Sequence, residues 1–505
     1  MSSPFYITTP IYYVNDVPHI GHAYTTLACD VMARFKRLDD FEVFFLTGTD
    51  EHGQKVETAA NNKGLKPQDF VDDVSVNFRS LLKCMNFSND DFIRTTEKRH
   101  FNSCQRIWNK LVENGNIYLG KYSGWYAVRD EAFFLESEIV DGKAPSGAPV
   151  EWVEEPSYFF NLSKWQDKLL KYYDENKDFI SPNTRRNEVI SFVKGGLKDL
   201  SVSRTSFSWG IKVPNDEQHI MYVWLDALTN YLSACDYANN ENNMKNSKFW
   251  PADIHMVGKD IIRFHAVYWP AFLMAADLPL PKKVFAHGWW TNEGNKISKS
   301  LGNVINPFDL VEEYGVDQIR YFLMREVPFG NDGDFSKTQL NNRINSDLAN
   351  SYGNLFQRVV SMICKNCNKT IPQKPEFLNK EDLVLVNSLK DNIDDYRNLI
   401  DNQKFDQFLK NIWLVISSAN KYTDEQAPWS LKKTDFKRME VVLFTLIETL
   451  RQVSILLQPF LPNTTKSVLD QIKIPLNERN FKHLENIYKG EEKIELPEPL
   501  FPRVQ

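Results

Sequence analysis

At 505 residues the chain is too long for a single hydrophobic core, and two to four domains are expected. With 42% hydrophobic and 25% charged side chains it has the make-up of an ordinary soluble globular protein, without the run of about 18 apolar residues that crosses a membrane or the apolar core of a secretion signal. A net charge of −6 argues against non-specific coating of nucleic acid but leaves room for a local basic face, and six scattered cysteines point to reduced thiols in a cytoplasmic protein.

The chain opens with an extended stretch, Phe5 to Val14, followed by helically spaced apolar positions from His19 to Arg37. A β-rich run, Glu42 to Leu46, ends in the polar turn Thr47 to Gly53, and a helix restarts at Gln54. Strand, helix and buried strand make a βαβ unit and hence a parallel sheet, whose ligands bind beyond the carboxyl ends of the strands. From 118 to 208, glycines, prolines, tryptophans and tyrosines punctuate short segments, the pattern of an inserted domain. The α/β pattern returns with His219 to Leu225, Asp253 to Gly258 and Val284 to His287, which predicts a Rossmann-type α/β sheet split by the insertion. Beyond Asn341 the periodicity is helical, over Ser346 to Lys365, Lys380 to Gln403, Phe405 to Tyr422 and Arg438 to Phe460. The expected parts are residues 1–117 and 209–295 as the two halves of the sheet domain, 118–208 as the insertion, 296–345 as a lysine-bearing loop with its linking segment, and 346–505 as a helical domain.

Two short clusters carry chemistry. Pro18-His19-Ile20-Gly21-His22 sits where a strand hands over to a helix, and that helix N-terminus offers unpaired N–H groups and a positive dipole end to phosphate. The two imidazoles face one side and can each donate to a phosphate oxygen, while Gly21 lets a flat purine approach the backbone. Alone, the same residues are equally a metal pair or a polar helix start. Gly294-Asn295-Lys296-Ile297-Ser298-Lys299-Ser300-Leu301-Gly302 holds two lysines between terminal glycines. Mobile lysines of this kind follow charge onto a leaving pyrophosphate, although a lone Lys-Ser run is more often a solvated turn.

In this order, at opposite ends of one split sheet, the two clusters resemble the signatures of class I aminoacyl-tRNA synthetases, with Ile297 in place of the more usual methionine. Three further blocks narrow the resemblance to the methionyl-tRNA synthetase family: Tyr222-Val223-Trp224-Leu225-Asp226-Ala227, Gly258-Lys259-Asp260-Ile261 with Phe264-His265, and Asp424-Glu425-Gln426-Ala427-Pro428-Trp429. The resemblance covers nearly the whole chain. It implies that methionine is joined to tRNA(Met) through a methionyl-adenylate, with AMP and pyrophosphate released and Mg2+ accompanying ATP. It implies His19, His22, Lys296 and Lys299 as catalytic residues, and Gly21, Gly258, Asp260 and Lys299 as ATP contacts. It also implies a methionine pocket of Ile11, Tyr13, Asp50, Trp224, Ala227, Leu228, Tyr231, Ile261 and His265. There Asp50 holds the ammonium with Arg204 as its charge partner, and the Ile11 N–H and Tyr231 hydroxyl meet the sulfur. Shape and aromatic contact suit a thioether, which has almost no polar handle. Without the family, Trp224 and Tyr231 are core aromatics. Leu200 departs from relatives that carry an aromatic there, which bears on how the pocket closes.

Many family members hold zinc in the insertion through Cys-x-x-Cys pairs, whereas residues 118–208 contain no cysteine, so zinc and any other protein-bound metal are not expected. The pair Cys364 and Cys367 is taken as two ordinary thiols. By resemblance Asn354, Arg358 and Trp429 read the anticodon, through base stacking and hydrogen bonds to exposed base edges. Without the family they are a solvated helix face and a buried tryptophan. The expected partners are ATP, L-methionine and tRNA(Met), with no membrane and a monomeric chain. A small-molecule nucleotidyltransferase and a tRNA-binding protein with a vestigial site are the alternatives. The helical third part counts against the first, and the intact histidines and lysines count against the second.

Overall fold

A computed structural model describes residues 2–14, 17–130, 132–134, 136–240, 244, 247–292, 294–296 and 304–504. Among them, seven parallel strands form one sheet. Pro4–Thr8 lies near its centre, with Pro4 to Thr8 opposite Glu42 to Leu46 on one side and Ile254–Gly258 on the other. Tyr12–Tyr13 runs along the end of Glu42–Asp50, Asp91–Arg94 closes that edge, and Val284–His287 followed by Ile180–Ser181 closes the opposite one. Tyr6, Ile7, Phe45, Leu46, Met256 and Val257 are all buried, because a parallel sheet is covered on both faces.

The helix Ile20–Leu38 carries the chain back from Pro4–Thr8 to Glu42–Asp50, the crossover a parallel pair needs. Its Leu27, Val31 and Phe35 belong to the same apolar core as Phe408, Leu443 and Leu450 of the C-terminal helices. Phe35 meets Phe408 and Phe481 at ring-centroid distances of 5.9 and 4.7 Å. The helix that begins beside His19 is therefore packed directly on the helical part. The fully buried Arg320 fastens the junction: it donates to Asp30 Oδ2 (2.6 Å) and to the carbonyls of Met85 (3.0 Å), Pro459 (2.7 Å) and Phe460 (3.2 Å). So deeply buried a guanidinium is tolerable only when paired and hydrogen-bonded in this way. The other face of the sheet is covered by a second core that includes Trp108, Leu228, Trp269 and Phe272.

The strand expected to stop at Leu46 runs on to Asp50, since Thr47, Gly48 and Thr49 pair with Phe92, Ile93 and Arg94 and are buried. Polar residues look like a turn until a neighbouring strand supplies their hydrogen bonds. The approach is close enough that a Cβ on Gly48 would lie 2.0 Å from the Ile93 carbonyl oxygen. Residues 118–208 are of two kinds. Ala132–Phe134, Ile117–Ala127, Glu151–Phe160 and Leu200–Ser201 form an antiparallel sheet of their own. The helices Gln166–Glu175 and Asn183–Lys194 instead bury Leu169, Tyr173, Val189 and Val193 in the core of the parallel sheet, and Ile180–Ser181 is that sheet's edge strand. His219 to Leu225 divides between an antiparallel strand, Asp216–Met221, and a helix, Val223–Ser233, because a short apolar run does not distinguish the two by periodicity. Ser346 to Lys365 is a π-helical segment, Ile344–Gly353, leading into the α-helix Asn354–Asn366. Lys380 to Gln403 is broken into Lys380–Asn387 and Ile393–Asp401.

Candidate active site

His19 is the N-cap of Ile20–Leu38, and the histidine pair closes a capping box. His19 Nδ1 accepts the Gly21 N–H at 3.1 Å, and His22 Nδ1 accepts the His19 N–H at 3.0 Å. The rings lie 4.0 Å apart, centroid to centroid. With each Nδ1 occupied as an acceptor, the neutral rings carry their hydrogens on Nε2 and present them as donors. Burial, reinforced by His19, pushes the His22 imidazole well below its ordinary value and holds it neutral. The cap itself requires Gly21, because a Cβ there would lie 2.9 Å from His19 Cε1. The Ile20 N–H donates to the Ile305 carbonyl at 3.1 Å, which brings the segment after the lysine loop onto this helix end. Ile297, Ser298, Lys299 and Ser300 lie outside the described residues, and Lys296 is placed through its main chain, on Asn295–Lys296 beside Trp290–Asn292. Gly258 and His287 face each other in register at the ends of adjacent strands. Asp260 is exposed and accepts the Trp289 indole N–H at 3.1 Å.

The helix Val223–Ser233 puts Trp224, Ala227, Leu228 and Tyr231 along one face, at the three- and four-residue spacing of helical neighbours. Trp224, Leu228 and Tyr231 join Ile11 and Ile261 in one apolar cluster. Trp224 lies parallel to Phe264, with centroids 3.6 Å apart. His265 Nδ1 donates to the Ile261 carbonyl (3.0 Å), so its Nε2 accepts the Tyr231 hydroxyl hydrogen (2.7 Å), and burial holds the ring down to about 4. Asp50 is buried at the end of its strand, in register with the half-buried Tyr13. Arg204, also buried, donates to Ser201 Oγ (2.7 Å) and the Ser203 carbonyl (2.6 Å) and lies over the Tyr222 ring at 4.7 Å.

Sequence reasoning passed over the polar network that joins these walls. Asp226 accepts from His52 Nδ1 and His100 Nε2, each at 2.7 Å, and Cys104 Sγ lies 3.2 Å from the same His100 nitrogen. Burial alone would raise the Asp226 carboxyl; His52 and His100 outweigh it and hold the group down to about 2. A carboxylate inside the apolar run Val223 to Leu228 was its one legible signal, and His100 had none. His100, Cys104 and Asp226 are the one trio of metal-ligating side chain types that converges among the described residues, and their polar atoms are engaged with one another.

Residues 5–151 and 144–360 match the family model for class I tRNA synthetases (M), and residues 371–505 match that for the anticodon binding domain of methionyl tRNA ligase. The chain belongs to the class I methionyl-tRNA synthetase family. The methionine--tRNA ligase of Rickettsia felis is 58% identical over 510 residues, spanning 100% of this chain and 99% of its own. That of Rhizobium meliloti is 55% identical over 509 residues, spanning 99% and 98%. A solved Mycobacterium tuberculosis methionyl-tRNA synthetase in complex with methionyl-adenylate is similar at a TM-score of 0.96 and 47% identity, covering 99% of this chain and 100% of that one.

In this family member Asn354 is exposed at the start of Asn354–Asn366. One turn on, Arg358 donates to Asp424 Oδ1 at 2.7 Å and stands 5.8 Å over the ring of Trp429. Trp429, at the start of the helix Pro428–Thr434, is 48% exposed, which decides against a core role. Cys364 and Cys367 are both half-buried, and Cys364 donates to the Glu495 carbonyl at 3.3 Å. Burial, Glu440 and Cys364 push the Cys367 thiol up to about 11, away from the thiolate that binds metals. No helix among the described residues is long and apolar enough to cross a membrane.

Proposed function

We propose that this protein attaches methionine to tRNA(Met) in two steps. The methionine carboxylate attacks the α-phosphorus of ATP, forming methionyl-adenylate as the bond to pyrophosphate breaks. The terminal ribose hydroxyl of the tRNA then attacks the adenylate carbonyl, and AMP leaves. No protein nucleophile is needed, so catalysis rests on alignment and on charge stabilisation. The observation that carries this reading is the histidine capping box, which fixes the hydrogens of two neutral imidazoles on Nε2 at a helix N-terminus beside the carboxyl ends of the sheet. His19 and His22 hold the phosphates, Lys299 helped by Lys296 meets the charge on the departing pyrophosphate, and Gly21, Gly258 and Asp260 bind the nucleoside. Ile11, Tyr13, Trp224, Ala227, Leu228, Tyr231, Ile261 and His265 enclose the methionine side chain, and Asp50, supported by Arg204, takes the ammonium. Asn354, Arg358 and Trp429 read the anticodon.

Imidazole and ammonium donors suit phosphate oxygens rather than a cation, so Mg2+ would enter with the phosphates of ATP and supply charge neutralisation there. We assign the protein no zinc, a monomeric state and the cytoplasm, and divide it as 1–117 with 209–295, to which the helices Gln166–Glu175 and Asn183–Lys194 and the strand Ile180–Ser181 also belong, then the remainder of 118–208, then 296–345 and 346–505. Stoichiometric zinc in the purified protein would refute the metal assignment. The deciding experiment is methionine-dependent ATP–pyrophosphate exchange, measured with and without tRNA. Lys299→Ala is expected to slow adenylate formation by more than about tenfold while leaving methionine affinity unchanged; normal exchange in that variant sinks the role.

A further inference from the structure

We propose that His287 is a positioning residue of the nucleotide site, holding the helix end that carries His19 and His22 at a set distance from the strand end that carries Gly258. The proposal rests on the nucleotide-site reading above.

His287 ends the strand Val284–His287 and is buried among Tyr24 and Phe329, with ring centroids 5.4 and 5.6 Å away. Its Nδ1 lies 2.7 Å from the Gly288 carbonyl oxygen. A carbonyl only accepts, so Nδ1 carries the hydrogen, and burial lowers the ring's affinity for a second proton. Nε2 is thus left as a bare acceptor. The group facing it at 2.7 Å is the hydroxyl of Thr25, across 262 residues of sequence. Thr25 is buried in the helix Ile20–Leu38, one turn beyond Gly21, and its hydroxyl is also 3.1 Å from the Gly21 carbonyl. The Gly288 carbonyl, His287, Thr25 and Gly21 therefore form one continuous chain of contacts, the single Thr25 hydrogen going mainly to Nε2 at 2.7 Å and being shared more weakly with the Gly21 carbonyl at 3.1 Å. It begins at the strand end and finishes in the turn that presents the two histidines. The ring also comes close to Gly258, where an added Cβ would meet Asp260 Oδ1 first, at 2.5 Å, and then His287 Cε1 at 4.0 Å.

One hydroxyl thus joins the two halves of the split sheet where they meet the nucleotide. Its hydrogen-bond partners, His287 and Gly21, are not among the residues assigned to methionine, so loosening it is expected to act on the nucleotide. The comparison uses the 505-residue chain in ATP–pyrophosphate exchange, with ATP and methionine each varied. Thr25→Val leaves a buried acceptor without its donor and is expected to raise KM for ATP at least about fivefold, with KM for methionine within twofold. Thr25→Ser, which keeps the hydroxyl, is expected to restore KM for ATP to within about twofold of the parent. Where Thr25→Val does not accumulate as folded protein, Thr25→Ala, a better helix former, takes its place with the same expectation. An unchanged KM for ATP, a parallel rise in both KM values, or failure of Thr25→Ser to restore the parent value overturns the proposal and leaves the synthetase reading intact. Absence of methionine-dependent exchange in the parent protein overturns that reading and this proposal with it.

Discussion

His287 gives its Nδ1 hydrogen to a main-chain carbonyl at a buried strand end, whereas Arg358, in the helical part, gives one of its own to Asp424, a side chain 64% exposed. The contrast extends to both neighbourhoods. Around the strand ends His22, His265 and His287 are fastened to main-chain atoms, and Asp226 to two imidazoles. Beside Asn354, Arg358 instead reaches two side chains, the carboxylate of Asp424 and the ring of Trp429. A polar group buried in the sheet must be fully hydrogen-bonded or it destabilises the fold, so chemistry and stability are coupled there. An exposed group is free to serve recognition alone.

Removing a charge from the buried network tests this contrast hardest. Asp226→Ala leaves His52 and His100 buried without their carboxylate and is expected to lower stability by about 3–5 kcal/mol in denaturant titration. A loss no larger than that of a surface substitution would break the contrast. Acid comes next. Burial lowers the pKa of His22, His255, His265 and His287, so as pH falls the unfolded chain takes up protons before the folded one does. Stability is therefore greatest above about pH 6.5, the ordinary histidine value, and falls as pH drops from there toward 4. His265, held down to about 4, accounts by itself for about 3 kcal/mol over that window. A thermal midpoint that stays level from pH 7 to 4.5 would contradict the assignment.

At the other end, Trp429→Ala is expected to weaken tRNA charging by the value of one stacked base, about 1–3 kcal/mol in kcat/KM, while exchange and thermal midpoint stay at parental values. A fall in all three would return Trp429 to the core. The smallest effect is expected for Asp424→Asn. It breaks an ion pair whose partners are 30% and 64% exposed, and the change in stability should stay below about 1 kcal/mol.

Much of this organisation was legible in the chain itself. The spacing from His19 to Arg37 is a helix, the run Asp253 to Gly258 holds the strand Ile254–Gly258, and the C-terminal third is helical. The family resemblance gathered Ile11, Trp224, Leu228, Tyr231 and Ile261, which do share one cluster. The strand Ile180–Ser181 was hidden inside an apparent insertion, because two residues carry no periodicity. The run Thr47 to Asp50 was hidden by its polarity, which only the neighbouring Asp91–Arg94 accounts for.

The sequence by itself determined the local facts: which stretches bury one face, where the histidine and lysine clusters fall, and that residues 118–208 hold no cysteine. Those depend on side-chain type and spacing along a few turns of chain. Tertiary structure alone decided which nitrogen of His22 and His287 carries the hydrogen, that Asp226 sits between two imidazoles, and that Trp429 faces solvent. Tautomer, pairing and exposure are properties of contacts, and contacts such as Thr25 with His287 join residues that no local pattern relates.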